Sequence, residues 1–193
     1  MQKNRLEAFS DGVIAILITI MVLELRAPHG TDWNALRPLL PTFLAYVLSF
    51  MYIAIYWNNH HHMLQATHHI NGKILWANQH LLFWLSLVPL VTTWMSENTF
   101  APLPVAIYGF ILLGAAVAYY VLELTIIAEQ EPGSALAKAV GKDRKGRLSI
   151  ALYVMAIALA FLNPWMSVAI FILVAVLWLV PDTRIESVLT HSL

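Results

Sequence analysis

The stretch RLEAFSDGVIAILITIMVLEL, residues 5–25, decides the fold. From Leu6 to Leu25 it supplies the roughly 20 mostly apolar residues that a helix needs to cross a bilayer, and Pro28, His29 and Gly30 end it. Two features separate it from a plain hydrophobic anchor. Ile16, Ile20 and Leu23 recur at i, i+4 and i+7, which is one helical face, and Thr19 lies on that face. Asp11 stands within the span, where a carboxylate costs on the order of 3 kcal/mol on insertion scales and is normally turned toward protein or water. On an ideal helix Asp11 points roughly 140° away from Ile16, so the acid is directed into the protein and the aliphatic stripe elsewhere. Glu7, one turn earlier, has the same sign and is no partner for it. Arg5 reaches Asp11 only by leaving ideal helix geometry, so a partner from another helix is expected. A secretory leader also has an apolar stretch, but the early Asp11, the lack of a small-x-small cleavage site and the spans downstream argue against one.

The rest of the chain repeats this economy of charge. Of 193 residues, 60% are hydrophobic and 11% charged, against about a quarter charged in a soluble domain. Further spans are expected at about 38–57, 74–95 and 104–127. Pro38 and Pro41 suit the first turns of one, and Pro102 and Pro104 punctuate the start of another. Pro89 is placed to kink the span that contains it. A polar, basic segment runs from Glu129 to Arg147, and no charge then appears until Asp182. That stretch is too long for one crossing. Asn163-Pro164 is a turn signal near its middle, giving two short antiparallel helices, about 148–162 and 164–180, the first of them short for a full crossing. Six spans with the N-terminus inside put Lys3, Arg5, Lys73, Lys138, Lys142, Arg144, Lys145, Arg147 and Arg184 on the inner side, and only Arg26 and Arg37 outside. Cytoplasmic loops carry this bias. An odd number of spans moves only Arg184, so the bias speaks for orientation more than for the count.

A ring of such first helices around an axis would stack branched side chains with a hydroxyl layer between them. Apolar rings gate by dewetting, and hydroxyls replace part of an ion's water shell. Lipid or a neighbouring helix would satisfy the same stripe, and periodicity does not separate these readings. For Asp11 and its neighbour Ser10, candidate partners are Trp57 and His60 at the inner end of the second span and Asn78 near the inner half of the third. A network of Ser10, Asp11, Trp57, His60 and Asn78 would satisfy each buried polar group, either as packing or as the support of a pore helix.

The motif Arg5-x-x-x-Phe9-Ser10-Asp11 at the start of the first helix resembles the signature of the transmembrane protein 175 family of potassium channels. Tyr56-Trp57-x-x-His60-His61, Leu75-Trp76-x-Asn78 and Val88-Pro89 continue the likeness. Animal members of that family are endosomal and lysosomal channels with two six-helix repeats, and prokaryotic members are single repeats that assemble as tetramers. The resemblance implies a pore lined by the first helix of each subunit, with Ile16 as the isoleucine constriction, Ile20 and Leu23 as further apolar layers and Thr19 beside them. It implies that Arg5, Phe9, Ser10 and Asp11 contact the second and third helices. It also implies permeant potassium without a Thr-Val-Gly-Tyr-Gly filter, a sequence this chain lacks. The run His60-His61-His62 with His68 and His69 is richer in histidine than the family pattern.

Other chemistries fare less well. There is no cysteine, which removes disulfides, thiol catalysis and thiolate metal sites. The near-zero net charge gives no sign of a nucleic-acid partner. Six of the eight histidines lie between His60 and His80. Imidazole is the commonest metal ligand, but the His-x-x-x-His spacing with a supporting Glu is missing, and His68 and His69 adjoin a turn at Asn71-Gly72. These histidines could still sense cytoplasmic pH. Glu123, a second carboxylate inside a span, and Glu129 belong to no catalytic constellation. A coupled transporter is the alternative mechanism, yet inverted repeats and broken helices are its usual marks, and Pro89 is the one clear break. A histidine-rich metal-binding membrane protein is the other alternative. The expectation is therefore one all-α transmembrane domain over residues 1–193, forming a homotetramer in a prokaryotic plasma membrane with both termini cytoplasmic. It conducts potassium passively, holds no cofactor or bound metal, and is not an enzyme.

Overall fold

The computed structural model describes residues 3–65, 67, 69–129 and 144–179. They form seven α-helices: α1 Lys3–Leu23, α2 Leu40–Gln65, α3 Gly72–Ser86, α4 Val88–Glu97, α5 Pro102–Ala128, α6 Arg144–Leu159 and α7 Pro164–Leu179. A 3-10 segment, Trp33–Leu39, leads into α2. Asp32 caps it, its Oδ1 accepting from the Ala35 N–H at 3.1 Å, and Pro41 sits in the first turn of α2, where a missing N–H costs nothing.

The second helix is longer than the apolar run implies. The polar stretch after Trp57 reads as an end, yet α2 continues to Gln65 because its side chains find partners: Asn59 bonds the Ile55 carbonyl at 2.8 Å, and Thr67 beyond the helix bonds the Met63 carbonyl at 2.9 Å. The third span is two helices. Proline cannot donate to the preceding turn, so α3 stops at Ser86 and α4 restarts at Val88, with Pro89 in its first turn. The break is held from the side by a buried trio: Ser49 Oγ lies 2.7 Å from Thr92 Oγ1 and 3.0 Å from the Tyr108 hydroxyl, and Thr92 donates to the Val88 carbonyl at 2.7 Å.

The central helix is α5, which packs on α3, α4, α6 and α7. Two glycines let it do so. A Cβ on Gly114 would fall 2.4 Å from the Trp84 ring, and one on Gly109 would fall 2.9 Å from Phe171, so each glycine is a seat for an aromatic ring. Helices α6 and α7 form an antiparallel hairpin, tied by a bond from Ser167 Oγ to the Ala156 carbonyl at 2.6 Å. Each has 16 residues, a rise of about 24 Å, short of the roughly 30 Å hydrocarbon core. Four longer segments, Lys3–Leu23, Trp33–Gln65, Gly72–Glu97 and Pro102–Ala128, are long and apolar enough to cross.

Candidate functional site: the outer face of the first helix

Helix α1 lies against α2, α3 and α4 and divides lengthwise into two faces. Leu6, Ser10, Ile14, Leu17 and Met21 are buried. They recur every three or four residues, the spacing of one helical face. The other side is open: Ile16 is 57% exposed, Ile20 44% and Leu23 77%, with Thr19 also exposed. Arg5 and Phe9 are exposed as well. At 100° per residue, Arg5, Phe9, Gly12, Ile16, Thr19, Ile20 and Leu23 all project within roughly 60° of one direction. At Gly12 a Cβ would meet no heavy atom within 4 Å. Thr19 donates its hydroxyl proton to the Ile16 carbonyl at 2.8 Å. That leaves the oxygen lone pairs as the groups it can offer outward, and lone pairs are what a cation needs.

Polar residues in the first half of α1 tie this helix to the bundle. Asp11 Oδ1 accepts from the Trp57 indole N–H at 2.9 Å. Ser10 Oγ accepts from Asn78 Nδ2 at 3.0 Å, and the Asn78 carbonyl oxygen lies 2.7 Å from His60 Nε2. With the amide so oriented, the His60 Nε2 carries the proton. Ser10, Asn78 and His60 are all buried, so each bond replaces water that the site excludes. The stretch adds Trp57 stacked on His61, rings 5.8 Å apart at 18°. Lys3 at the helix start donates to the Gln65 carbonyl at 2.8 Å, bracing the start of α1 against the end of α2.

Not every motif residue joins the network. Arg5 and Phe9, expected against the second and third helices, lie instead on the open stripe below Ile16, because their positions, eleven and seven residues before it, return them to the same side of the helix. The histidines disperse: His60 turns inward to Asn78, His61 pairs with Gln65, and His80 accepts from the Trp84 indole at 3.0 Å. Among the described residues no three His, Asp or Glu side chains converge as a metal site. His68 lies outside the described residues. Glu123 is buried within α5.

Some contacts had no signal along the chain. Glu129, at the end of α5, takes Lys73 in an ion pair of 2.7 Å and also bonds Asn71, closing the start of α3 on the end of α5. The Ser49, Thr92 and Tyr108 trio joins residues far apart in sequence.

Fold and site together define a class: an all-helical, multi-span membrane protein with a peripheral helix whose polar face is bonded into the bundle and whose aliphatic face is left outside it. The family model described as endosomal/lysosomal potassium channel TMEM175 matches residues 5–89. The chain is 53% identical over 192 residues to a potassium channel of Chryseobacterium sp. (strain P1-3), covering 100% of both. It is 29% identical over 189 residues to a potassium channel of Chamaesiphon minutus, covering 91% of this chain and 92% of that one. A crystal structure of a lysosomal potassium-selective channel TMEM175 homolog from Chamaesiphon minutus matches with a TM-score of 0.82 at 28% identity, covering 93% of this chain and 97% of that one. The human endosomal/lysosomal proton channel TMEM175 is 36% identical over 83 residues, 35% of this chain and 16% of that protein. The chain belongs to the TMEM175 family.

Proposed function

We propose that this protein is a potassium channel in which four copies surround an axis lined by α1. Ile16 forms the constriction, Ile20 and Leu23 add apolar layers toward the outer mouth, and Thr19 contributes a hydroxyl layer. The observation that carries the reading is the division of α1 into a bonded face and an open aliphatic stripe, in a chain whose relatives are named potassium channels. In a closed ring of identical subunits each copy presents the same stripe to the axis. Asp11, Ser10, Trp57, His60 and Asn78 are then positioning residues that hold the stripe at its angle. Arg5 and Phe9 fall at the inner mouth or against the adjacent copy. Without a carbonyl filter, selectivity for potassium over sodium is moderate, and partly hydrated ions pass when the isoleucine ring widens. The membrane is the prokaryotic plasma membrane, with the N-terminus on the basic, cytoplasmic side.

Purified protein reconstituted in planar bilayers tests this directly. Stepwise potassium currents far above transporter turnover are expected, and their absence under a driving gradient favours coupled transport instead. Ile16→Asn should increase potassium leak by wetting the narrowest ring. Unchanged flux in Ile16→Asn channels of normal assembly would remove Ile16 from the constriction. Since the chain has no cysteine, single cysteines introduced at Lys73 and Arg26 report the two sides of the membrane by labelling with an impermeant reagent.

A further inference from the structure

The connection from α1 to α2 ends in the 3-10 segment Trp33–Leu39, and none of its residues is buried. Its order is local. Asp32 accepts from the Ala35 N–H at 3.1 Å and from the Asn34 amide at 3.4 Å. A 3-10 helix has three residues per turn, so side chains three apart eclipse one another. Trp33, Leu36 and Leu39 therefore form one apolar row, with Trp33 86% exposed and Leu36 45%. Asn34 and Arg37 form a polar row a third of a turn away, and both are exposed. Helices in proteins take most of their stability from packing an apolar face. This one buries no side chain among the described residues, so its apolar row needs a surface from outside them.

The position of the segment says which surface. Trp57 is half-exposed and stands where the apolar run of α2 gives way to the polar residues 58–62, the place a tryptophan takes at a membrane boundary. The helical rise from Trp57 back to Leu40 is about 26 Å, against a hydrocarbon core of roughly 30 Å. The missing length of about 4 Å is about two residues of 3-10 helix. The opposite boundary therefore crosses the segment near Pro38, and a helix tilt of about 20° moves it by about one residue more. Trp76 and Trp94, both exposed, lie on α3 and α4 and are separated by about 27 Å of helical rise, a similar thickness. The apolar row also leads into the exposed residues Leu40, Phe43, Leu44 and Val47 of α2. We infer that the row of Trp33, Leu36 and Leu39 lies against lipid, at the boundary of headgroups and acyl chains, with Arg37 at the phosphates. Tryptophan favours that boundary, an amphipathic segment buries its apolar side there, and a guanidinium matches phosphate geometry. This surface fits lipid whether or not α1 lines a pore.

Spin labelling of the full chain in vesicles of phosphatidylcholine and phosphatidylglycerol tests it. The chain has no cysteine, so each introduced label stands alone. Trp33→Cys, Asn34→Cys, Leu36→Cys, Arg37→Cys and Leu39→Cys are labelled one at a time, with Val47→Cys as the reference in lipid. No residue of the segment is buried, so these substitutions leave the core intact. Collision with oxygen, which dissolves in lipid, is compared with collision with a water-soluble nickel chelate. The ratio of the two should be several-fold higher at 33, 36 and 39 than at 34 and 37, a period of three. If Trp33→Cys disturbs the segment, the pattern at 36 and 39 against 34 and 37 decides alone. Any other pattern overturns the proposal. A uniformly low ratio puts the segment in water, and a uniformly high one submerges it without a polar side. Weak collision with both reagents at 36 and 39 means that protein, such as a second copy, covers the row instead of lipid.

Discussion

Helices α1 and α5 are equally apolar over their best membrane-length stretches, yet 28% of that stretch is buried in α1 and 56% in α5. Hydrophobicity cannot explain the difference, because lipid tails are as apolar as a leucine on a neighbouring helix. Side-chain size does. Helix α5 presents Gly109, Gly114, Ala115 and Ala118 to its neighbours, the last two fully buried, and small residues let helix backbones and aromatic rings come close. Helix α1 offers Ile16, Ile20 and Leu23 on a side that no other helix among the described residues covers. One helix is built to be surrounded within the chain. The other is built to be held along one side and presented along the other.

That contrast can be broken by matched substitutions, ordered by their effect on the folded protein. The largest belongs to α5. Gly114→Leu drives a side chain into the Trp84 ring, where even a Cβ has 2.4 Å, and core over-packing of this kind costs about 1–3 kcal/mol or more. The yield of monodisperse protein in detergent should collapse, and a normal yield would show that Trp84 has room to move and that α5 is less tightly enclosed than described. Next comes the bonded side of α1. Asn78→Leu strands the Ser10 hydroxyl and the His60 ring in a buried site, a loss of about 1–3 kcal/mol. Thermal melts should fall, and potassium flux should change along with stability as the helix loses its angle. Full stability in this variant would mean that the network does not anchor α1.

The open side of α1 should respond in function and hardly at all in stability. Gly12→Ala meets empty space and gains up to about 1 kcal/mol of helix propensity, so melting should be level or slightly raised. A clear drop in melting temperature would show that Gly12 is packed in the assembled protein. Thr19→Val keeps the shape and removes the outward lone pairs, since among the described residues its hydroxyl bonds the Ile16 carbonyl alone. It should leave melting unchanged and lower potassium conductance modestly. Unaltered single-channel conductance would take the hydroxyl layer out of the ion path.

Much of the candidate site could be read along the chain. The period of Ile16, Thr19, Ile20 and Leu23 marks one face in any α-helix, and a carboxylate at Asp11 in an apolar span demands a partner from elsewhere. For Arg5 and Phe9 the family resemblance and the helical phase point different ways. They belong to the same motif as Ser10 and Asp11, and motif membership implies shared contacts, but helical phase sends them to the opposite side. The end of α2 also lies beyond its apolar run, because asparagine and histidine look like solvent-facing residues until His60 is seen to turn inward to Asn78.

The sequence by itself determined the helical, membrane-spanning class, through runs of about 20 apolar residues that leave the backbone no other way to satisfy its hydrogen bonds in lipid. It determined the helix boundaries at Pro102 and Pro164, the break near Pro89 and the separation of the Asp11 and Ile16 faces, all of which follow from local geometry. Only the tertiary structure decided which apolar faces are buried and which remain open, and that Trp57 is the partner of Asp11 and Asn78 that of Ser10. These depend on contacts between residues distant in the chain, and an apolar side chain carries no mark that tells a neighbouring helix from lipid.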